Sequence, residues 1–206
     1  MSKKYPQFTI LIHYSEIGLK KNNRHYFERK FIQNISKHLK SLKHKRIRLI
    51  SARILVENVD PNDWDLFKER LSNVMGLSIA ILMIETKNDL SEMKVAIDYL
   101  IKDKIFDSFR VTTKRHYKEF SQTSIEVNVD LGAYIQNQTK KKVKLSNADL
   151  NIIIEILKDK TYVGYNRVVG FSGLPSGSQE KAISLLSSGI DSPVASFEMI
   201  KRGVSL

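Results

Sequence analysis

Short apolar segments alternate with helical ones from the start of the chain, and this order limits the possible folds most. Phe8 to Tyr14 has the composition of a buried strand. From Asn22 to Leu42 a large apolar side chain recurs at every fourth position, first as Phe27 and Phe31. That spacing predicts a helix with one buried face.

The alternation continues from Arg46 to Ile84. Arg46 to Ile50 and Arg53 to Val59 are predicted as two short strands. Asp60 to Asp63 breaks the chain and caps a helix that runs through Trp64 to Leu71. Leu77 to Ile84, preceded by a glycine, is predicted as another strand. The order β-α-β-β-α-β predicts a small ferredoxin-like unit.

A second block repeats the alternation with different spacing. Leu90 to Ile101 and Ser124 to Gln138 have helical patterns. Phe109 to Thr113, Leu150 to Leu157 and Thr161 to Val169 are predicted as strands. This block is therefore expected to form an α/β domain of its own.

A third block follows Gly170 to Ser178, a run rich in Gly, Ser and Pro. A strand is predicted at Ala182 to Leu186, then a loop and a helix that ends at Gly203. Val204 to Leu206 has the pattern of the start of a further strand. Independent domains rarely fall below ~40 residues, so this block is expected to be an incomplete α/β unit.

The predicted fold class is α+β in four parts. Residues 1–75 form the ferredoxin-like domain and residues 76–170 the second domain. Residues 171–180 are a linker, and residues 181–206 begin the incomplete unit.

Charge and cysteine content narrow the function. Lys and Arg number 34 against 22 for Asp and Glu, a net charge of +12 that favours a polyanionic partner. The chain has no cysteine, which excludes disulfides, thiolate metal sites and cysteine nucleophiles. The longest apolar stretch, Leu77 to Ile84, is far shorter than the ~20 residues of a membrane helix. We therefore expect a soluble cytoplasmic protein with no membrane partner.

The basic residues are concentrated in two clusters. One lies between Lys20 and Arg48, where Glu28 is the only acid, and the other lies around Arg110 and Lys140 to Lys144. Such surfaces bind phosphate groups, although a helix face that is merely solvated has the same composition. The candidate RNA-binding residues are Lys20, Arg24, Arg110, Lys114, Arg115 and Lys118.

A phosphate-binding loop is the sharpest local pattern. An apolar segment leads into small residues, and a helix follows with Pro193 in its first turn and Asp191 or Ser192 as its cap. Small residues let backbone N–H groups approach phosphate oxygens at the positive end of a helix. An ordinary capped turn between a strand and a helix has the same pattern. The candidate ATP-binding residues are Leu185, Leu186, Ser187, Ser188, Gly189, Asp191 and Ser192.

These motifs together resemble one known family. The loop is similar to the Ser-Gly-Gly-x-Asp-Ser signature of PP-loop ATP pyrophosphatases, and Pro193 to Ala195 resembles the 4-thiouridine synthetase branch. Residues upstream resemble a THUMP domain: Lys114, Arg115, Phe120, Ser124, Glu126, Gly132, Glu155 and Gly173 to Pro175. Others resemble the family's ferredoxin-like domain: Tyr14, Glu16 to Lys20, Asn23, Arg24 and Phe27. The chain is thus similar to the front of the tRNA 4-thiouridine synthetases, or ThiI family of tRNA sulfurtransferases.

The resemblance implies ATP-dependent transfer of sulfur to a uridine of tRNA. In that family the first two domains hold the tRNA, with THUMP at its 3′ end, and the PP-loop domain uses ATP and Mg²⁺ to adenylate the uracil oxygen. A cysteine persulfide then displaces AMP. The family is also linked to thiamine thiazole synthesis. Implied partners are tRNA, a separate PP-loop polypeptide and a persulfide donor, and a homodimer is compatible.

Several positions depart from the family pattern. Ser188 replaces the first glycine of the double-glycine loop, and its Cβ is expected to weaken ATP binding. His13, Ser15, Lys21 and Ser172 also replace usual family residues, and the sulfur-carrying cysteine is missing. Two interpretations therefore stay open. One is the tRNA-binding part of a sulfurtransferase, inactive alone, whose catalytic remainder is a second polypeptide or a continuation lost by truncation. The other is a non-catalytic THUMP-type RNA-binding protein or degenerate paralogue.

Overall fold

The computed structural model describes residues 6–206, which form two compact units. The N-terminal unit contains Thr9–Ile81 and Arg167–Leu206. The central unit contains Leu82–Asn166 and the described residues up to Phe8. Each unit combines strands and helices, as predicted for an α+β chain.

The N-terminal unit follows the predicted order β-α-β-β-α-β. Its elements are β1 (Phe8–His13), α1 (Arg24–His38), β2 (Arg46–Ile50), β3 (Arg53–Glu57), α2 (Trp64–Ser72) and β4 (Ile79–Thr86). The strands lie in the order β2-β3-β1-β4, and β3 pairs antiparallel with both β1 and β2. The sequence prediction of a ferredoxin-like unit is therefore confirmed.

Helix α1 buries the face that its four-residue spacing predicted. Phe31, Ile35 and Leu39 are fully buried, and Phe27 is nearly so. The Asp60 carboxylate accepts a hydrogen bond of 2.9 Å from the backbone N–H of Asn62, which starts a short 3₁₀ turn before α2. The predicted break is confirmed, but the carboxylate caps the 3₁₀ turn, and the N-cap residue of α2, Asp63, makes no side-chain hydrogen bond to the helix.

The central unit is a mixed sheet with helices. Its further elements are α3 (Leu90–Ile101), β5 (Ser108–Arg115), α4 (Ser124–Thr139), β6 (Lys142–Val143), β7 (Leu150–Ile156) and β8 (Thr161–Val169). The strand order is β8-β7-β5-β6, with β5 parallel to both its neighbours and β7 antiparallel to β8. A capping box starts α4: the Thr123 hydroxyl accepts from the N–H of Glu126, and the Glu126 carboxylate accepts from the N–H of Thr123.

The last segment corrects one sequence prediction. Residues 182–186 do not form the expected strand; a single parallel bridge joins Lys181 to Ser205. Within the described residues no adjacent strand pairs with this segment, so its backbone lacks the ladder that defines a strand. Helix α5 runs from Asp191 to Lys201, and Gly203 (φ 93°) completes a Schellman motif after it.

The segment rich in Gly, Ser and Pro packs closely within the N-terminal unit. Leu174 is 5% exposed, and its N–H donates to the carbonyl of Lys201 at 2.9 Å. The Asn34 side chain on α1 donates to the carbonyl of Ser176 at 3.0 Å. At Gly173 (φ 76°) an added Cβ would lie 2.3 Å from the Lys201 carbonyl oxygen, so only glycine fits there. This segment thereby anchors the end of α5.

Candidate nucleic-acid interface

Strand β5 carries two basic side chains, Arg110 and Lys114, on the same face of the sheet. Arg110 and Lys114 lie opposite Asn151 and Glu155 of β7 in the parallel register. Thr112, between them, donates a hydrogen bond of 2.7 Å to the Asn151 side chain. Arg110 Nη1 donates to the carbonyl of Leu145 at 3.0 Å. The face therefore combines cations with polar groups that hold them in place.

A fully buried carboxylate lies beneath this face. Glu155 has no exposed surface, and its Oε1 lies 3.8 Å from Lys114 Nζ. Its Oε2 lies 3.3 Å from His116 Nε2. Half of the Lys114 side chain is exposed, so its ammonium faces both the buried carboxylate and the solvent. A phosphate that approached from outside would thus meet a cation already positioned by Glu155.

Arg115 organises the loop that follows β5. Its Nη1 donates to three backbone carbonyls, those of Lys118 at 3.3 Å, Phe120 at 3.1 Å and Gln122 at 3.1 Å. Lys118 is exposed on the same loop. Arg115 thereby shapes a loop that presents Lys118 to the solvent.

A second group of the predicted residues lies in the N-terminal unit. Arg24 Nε donates to the Glu28 carboxylate at 2.8 Å, and its Nη2 donates to the Tyr14 oxygen at 2.7 Å. The Tyr14 hydroxyl in turn donates to Glu28, which is 3% exposed. Burial, together with the hydrogen bond to Glu28, raises the pKa of Tyr14 to about 12. Lys20 Nζ lies 5.1 Å from the centre of the Phe27 ring.

The structure thus divides the predicted RNA-binding residues between the two units. Lys20 and Arg24 belong to the N-terminal unit. Arg110, Lys114, Arg115 and Lys118 occur together on β5 and its following loop in the central unit.

Sequence reasoning missed two polar contacts around β5 and its following loop. His116 contacts Glu155, and Asn128 on α4 accepts a hydrogen bond of 2.9 Å from the N–H of Thr113. Asn128 lies next to the buried Val127 on α4. A polar residue at the edge of the apolar face of a helix is the sequence feature that could have predicted this contact. His116 gave no signal, because its partner is forty residues away in the chain.

Serine hydroxyls organise the predicted phosphate loop internally. The N–H of Ser187 donates to Ser192 Oγ at 2.9 Å, and the N–H of Gly189 donates to Ser187 Oγ at 3.3 Å. The prediction that Asp191 or Ser192 caps α5 is wrong, because the N-cap residue is Ile190 and no side chain bonds to the helix start. Ser192 Oγ instead accepts from the loop. Pro193 lies in the first turn, as predicted.

The same loop has the groups that a phosphate requires. Asp191 is exposed in the first turn of α5, and the Ser187 and Ser192 hydroxyls lie 3.0 Å apart. Neither Ser188 nor Gly189 has a positive φ, so the backbone at these positions does not require glycine. Leu185 and Leu186 are 86% and 73% exposed. The loop therefore groups two serine hydroxyls with the Asp191 carboxylate, while its apolar flank lies open to solvent.

Two other kinds of site are absent from the part of the chain that the structure describes. Residues 6–206 contain no group of three or more His, Cys, Asp or Glu side chains able to hold a metal ion. None of the helices in that range combines the length and apolar character needed to cross a membrane.

Three family models match consecutive parts of the chain. The ThiI ferredoxin-like domain matches residues 9–80, and the THUMP domain matches residues 87–166. A third model, described as thiamine biosynthesis protein (ThiI), matches residues 177–206. The three occur in the order that the sequence motifs predicted.

Individual relatives agree with these models. "Probable tRNA sulfurtransferase" of Methanocaldococcus jannaschii is 37% identical over 97% of this chain and 55% of its own length. The crystal structure of PH1313 from Pyrococcus horikoshii Ot3 has a TM-score of 0.85 at 30% identity, covering 96% of this chain and 66% of that one.

A second solved structure is a 4-thiouridine synthetase–RNA complex with bound ATP. It has a TM-score of 0.74 at 31% identity and covers 97% of this chain and 51% of that one. The chain spans about half the length of the curated relatives it matches. The chain belongs to the ThiI family and contains its ferredoxin-like and THUMP domains.

Proposed function

We propose that this chain is the tRNA-binding part of an ATP-dependent tRNA sulfurtransferase that makes 4-thiouridine. The observation that carries the proposal is the basic face of β5 and its following loop, which lies within the residues that match the THUMP domain. A related protein of known structure forms a complex with RNA. We place the protein in the cytoplasm, where tRNA is modified, and the family name extends its role to thiamine biosynthesis.

Each cation of this face has a distinct role in the proposal. Lys114, positioned by Glu155, and the exposed Lys118 contact phosphates directly. Arg115 holds the loop in shape through its three carbonyl contacts. Arg110 borders the face beside Leu145. Lys20 and Arg24 add a second contact with tRNA from the N-terminal unit.

We also propose that the serine loop binds the phosphates of ATP. Ser187, Ser192 and the backbone of Ser188 and Gly189 would donate hydrogen bonds, and Asp191 would hold Mg²⁺. Leu185 and Leu186 would flank the nucleotide. The fit is partial, because the backbone N–H groups of Ser187 and Gly189 already donate to serine hydroxyls of the same loop. ATP is therefore expected to bind weakly to this chain.

Sulfur transfer requires a thiol that this chain does not contain. Persulfide chemistry needs a cysteine, and none occurs among the 206 residues. We propose that the thiol comes from the remainder of the PP-loop domain, either on a separate PP-loop polypeptide or in a continuation of this chain, with sulfur supplied by a persulfide donor. The chain alone is expected to bind tRNA without thiolating it; a homodimer would not change this, because it adds no cysteine.

A competition assay with two RNAs tests the proposal. Labelled tRNA bound to the chain is displaced by unlabelled tRNA or by the same tRNA lacking its single-stranded 3′ end. Because THUMP is proposed to hold that end, the shortened tRNA should compete at least tenfold less well. Equal competition by both RNAs would contradict the proposed role of the central unit.

A non-catalytic RNA-binding protein is the second candidate. It is favoured by Ser188, which replaces a glycine of the family's phosphate loop. Purified chain is mixed with unmodified tRNA, Mg-ATP and sulfide, with or without a cysteine-containing PP-loop polypeptide. Formation of 4-thiouridine only with the added polypeptide supports the sulfurtransferase. Tight tRNA binding with no product in either mixture supports the second candidate.

A further inference from the structure

A basic cleft lies between the C-terminal ends of α1 and α2 in the N-terminal unit. It has a volume of about 550 Å³ and is lined by Lys37, His38, Lys40, Ser41 and Arg70. Three of these side chains are cations at neutral pH, one is a histidine and one is a hydroxyl donor. Within residues 6–206, no carboxylate lines the cleft.

The cations of the cleft have no internal ion-pair partner among the described residues. Other basic residues of the same sequence cluster do: Arg24 pairs with Glu28, and both Arg46 and Arg48 pair with Glu57. The hydrogen bonds from Arg46 and Arg48 outweigh the effect of burial and hold the pKa of Glu57 below its usual value. Arg46 and Arg48 thus face a buried acid, whereas the cleft cations, like several other lysines of the cluster, are left for an external anion.

Helix electrostatics explain only part of this arrangement. Lys37 and His38 lie in the last turn of α1, and Arg70 lies in the last turn of α2, where the helix dipole favours cations. Lys40 lies beyond the helix end and gains less from that dipole. The dipole also does not explain why two helix ends place their cations around one cleft, where like charges repel each other.

We propose that this cleft binds the phosphate backbone of an RNA, as a contact separate from the face of β5. The inference rests on the proposed tRNA-binding function and adds a specific site to it. Lys37, Lys40 and Arg70 supply the charge, and Ser41 supplies a hydroxyl donor. His38 Nδ1 lies 3.0 Å from the carbonyl oxygen of Asn34. Because a carbonyl only accepts, Nδ1 is the donor in this hydrogen bond, and the other ring nitrogen, Nε2, is not used by it.

The test measures how tRNA affinity depends on salt in two matched variants. Lys37→Gln/Lys40→Gln removes two charges from the cleft. Lys102→Gln/Lys158→Gln removes two charges from exposed lysines of the central unit that have no ion pair. Each phosphate contact contributes about 0.9 to the slope of log affinity against log salt. The cleft variant should therefore reduce the slope by about 2, and the control should leave it unchanged.

A third variant separates RNA binding from helix stabilisation. Lys37→Arg/Lys40→Arg keeps both charges and should restore the wild-type slope. If the wild-type chain binds tRNA in a salt-dependent way and the Gln variant has the same slope, the cleft does not bind RNA. The proposed function would then remain intact. Wild-type chain that does not bind tRNA overturns the proposed function itself. Thermal unfolding of all three variants confirms that they are compared as folded proteins.

Discussion

Single residues of the basic surface have different roles that the sequence alone did not distinguish. Arg115 and Lys118 both belong to the same cluster of charges, and both were predicted to contact RNA. The structure shows Arg115 bonded to three carbonyls of its own loop and Lys118 exposed. The density of basic residues predicted the surface. Which of them hold the loop in shape and which are available to RNA depends on loop geometry, and composition does not encode that geometry.

This division predicts opposite phenotypes for two alanine variants. Arg115→Ala leaves three carbonyls without their donor and should lower the free energy of unfolding by about 1–2 kcal/mol. Lys118→Ala should leave the free energy of unfolding within about 0.5 kcal/mol of wild type but weaken tRNA binding. Urea unfolding and fluorescence anisotropy measure the two quantities. Equal stability of the two variants would show that Arg115 does not hold the loop.

Tyr14 predicts a specific dependence of stability on pH. Its folded-state pKa of about 12 lies above the ordinary value of 10, so its neutral form contributes stability at all pH values below 10. That contribution is lost as the pH rises from 10 through 12. Wild type should therefore exceed Tyr14→Phe in stability at pH 8, and the difference should shrink by pH 11.5.

Urea unfolding of both proteins at each pH gives the comparison. Subtracting the free energy of unfolding of Tyr14→Phe from that of wild type at each pH removes the contribution of the other groups that titrate at high pH. A difference that grows with pH would show that the Tyr14 hydroxyl does not donate to Glu28 in the folded protein.

Helices and strands were largely predictable because their patterns are local. The stripe of α1, the cap at Asp60 and the bounds of α3 all follow from spacing and capping chemistry. The expected strand at 182–186 was wrong because a strand needs a neighbour, which local sequence does not supply. The cleft at Arg70 was also missed, because Arg70 lies far along the sequence from Lys37.

The capping box of α4 can be tested by removing one hydroxyl. Thr123→Ala deprives the N–H of Glu126 of its acceptor and should destabilise the protein by about 1 kcal/mol. Ser121→Ala, at an exposed position just before the helix, is the matched control and should have no measurable effect. Urea unfolding of both variants is the measurement. Similar losses in the two variants would argue that the α4 cap contributes nothing.

At the scale of the whole molecule, the family motifs predicted more of the fold than of the site. The ferredoxin-like order was predicted from alternation and spacing, and family models match both predicted domains. The six predicted RNA-binding residues lie in two separate units, and the partner of Lys114, Glu155, comes from a different strand far along the chain. Ion pairs between such distant positions decide which cations remain available to RNA.

The salt dependence of tRNA binding by the wild-type chain is the most direct test of the account. Anisotropy of labelled tRNA is followed at salt concentrations from ~50 to ~200 mM. Four or more phosphate contacts predict a slope of about −3.6 or steeper and a fall in affinity of about a hundredfold. A flat response, or no binding at ~50 mM salt, would contradict the claim that these basic surfaces bind tRNA.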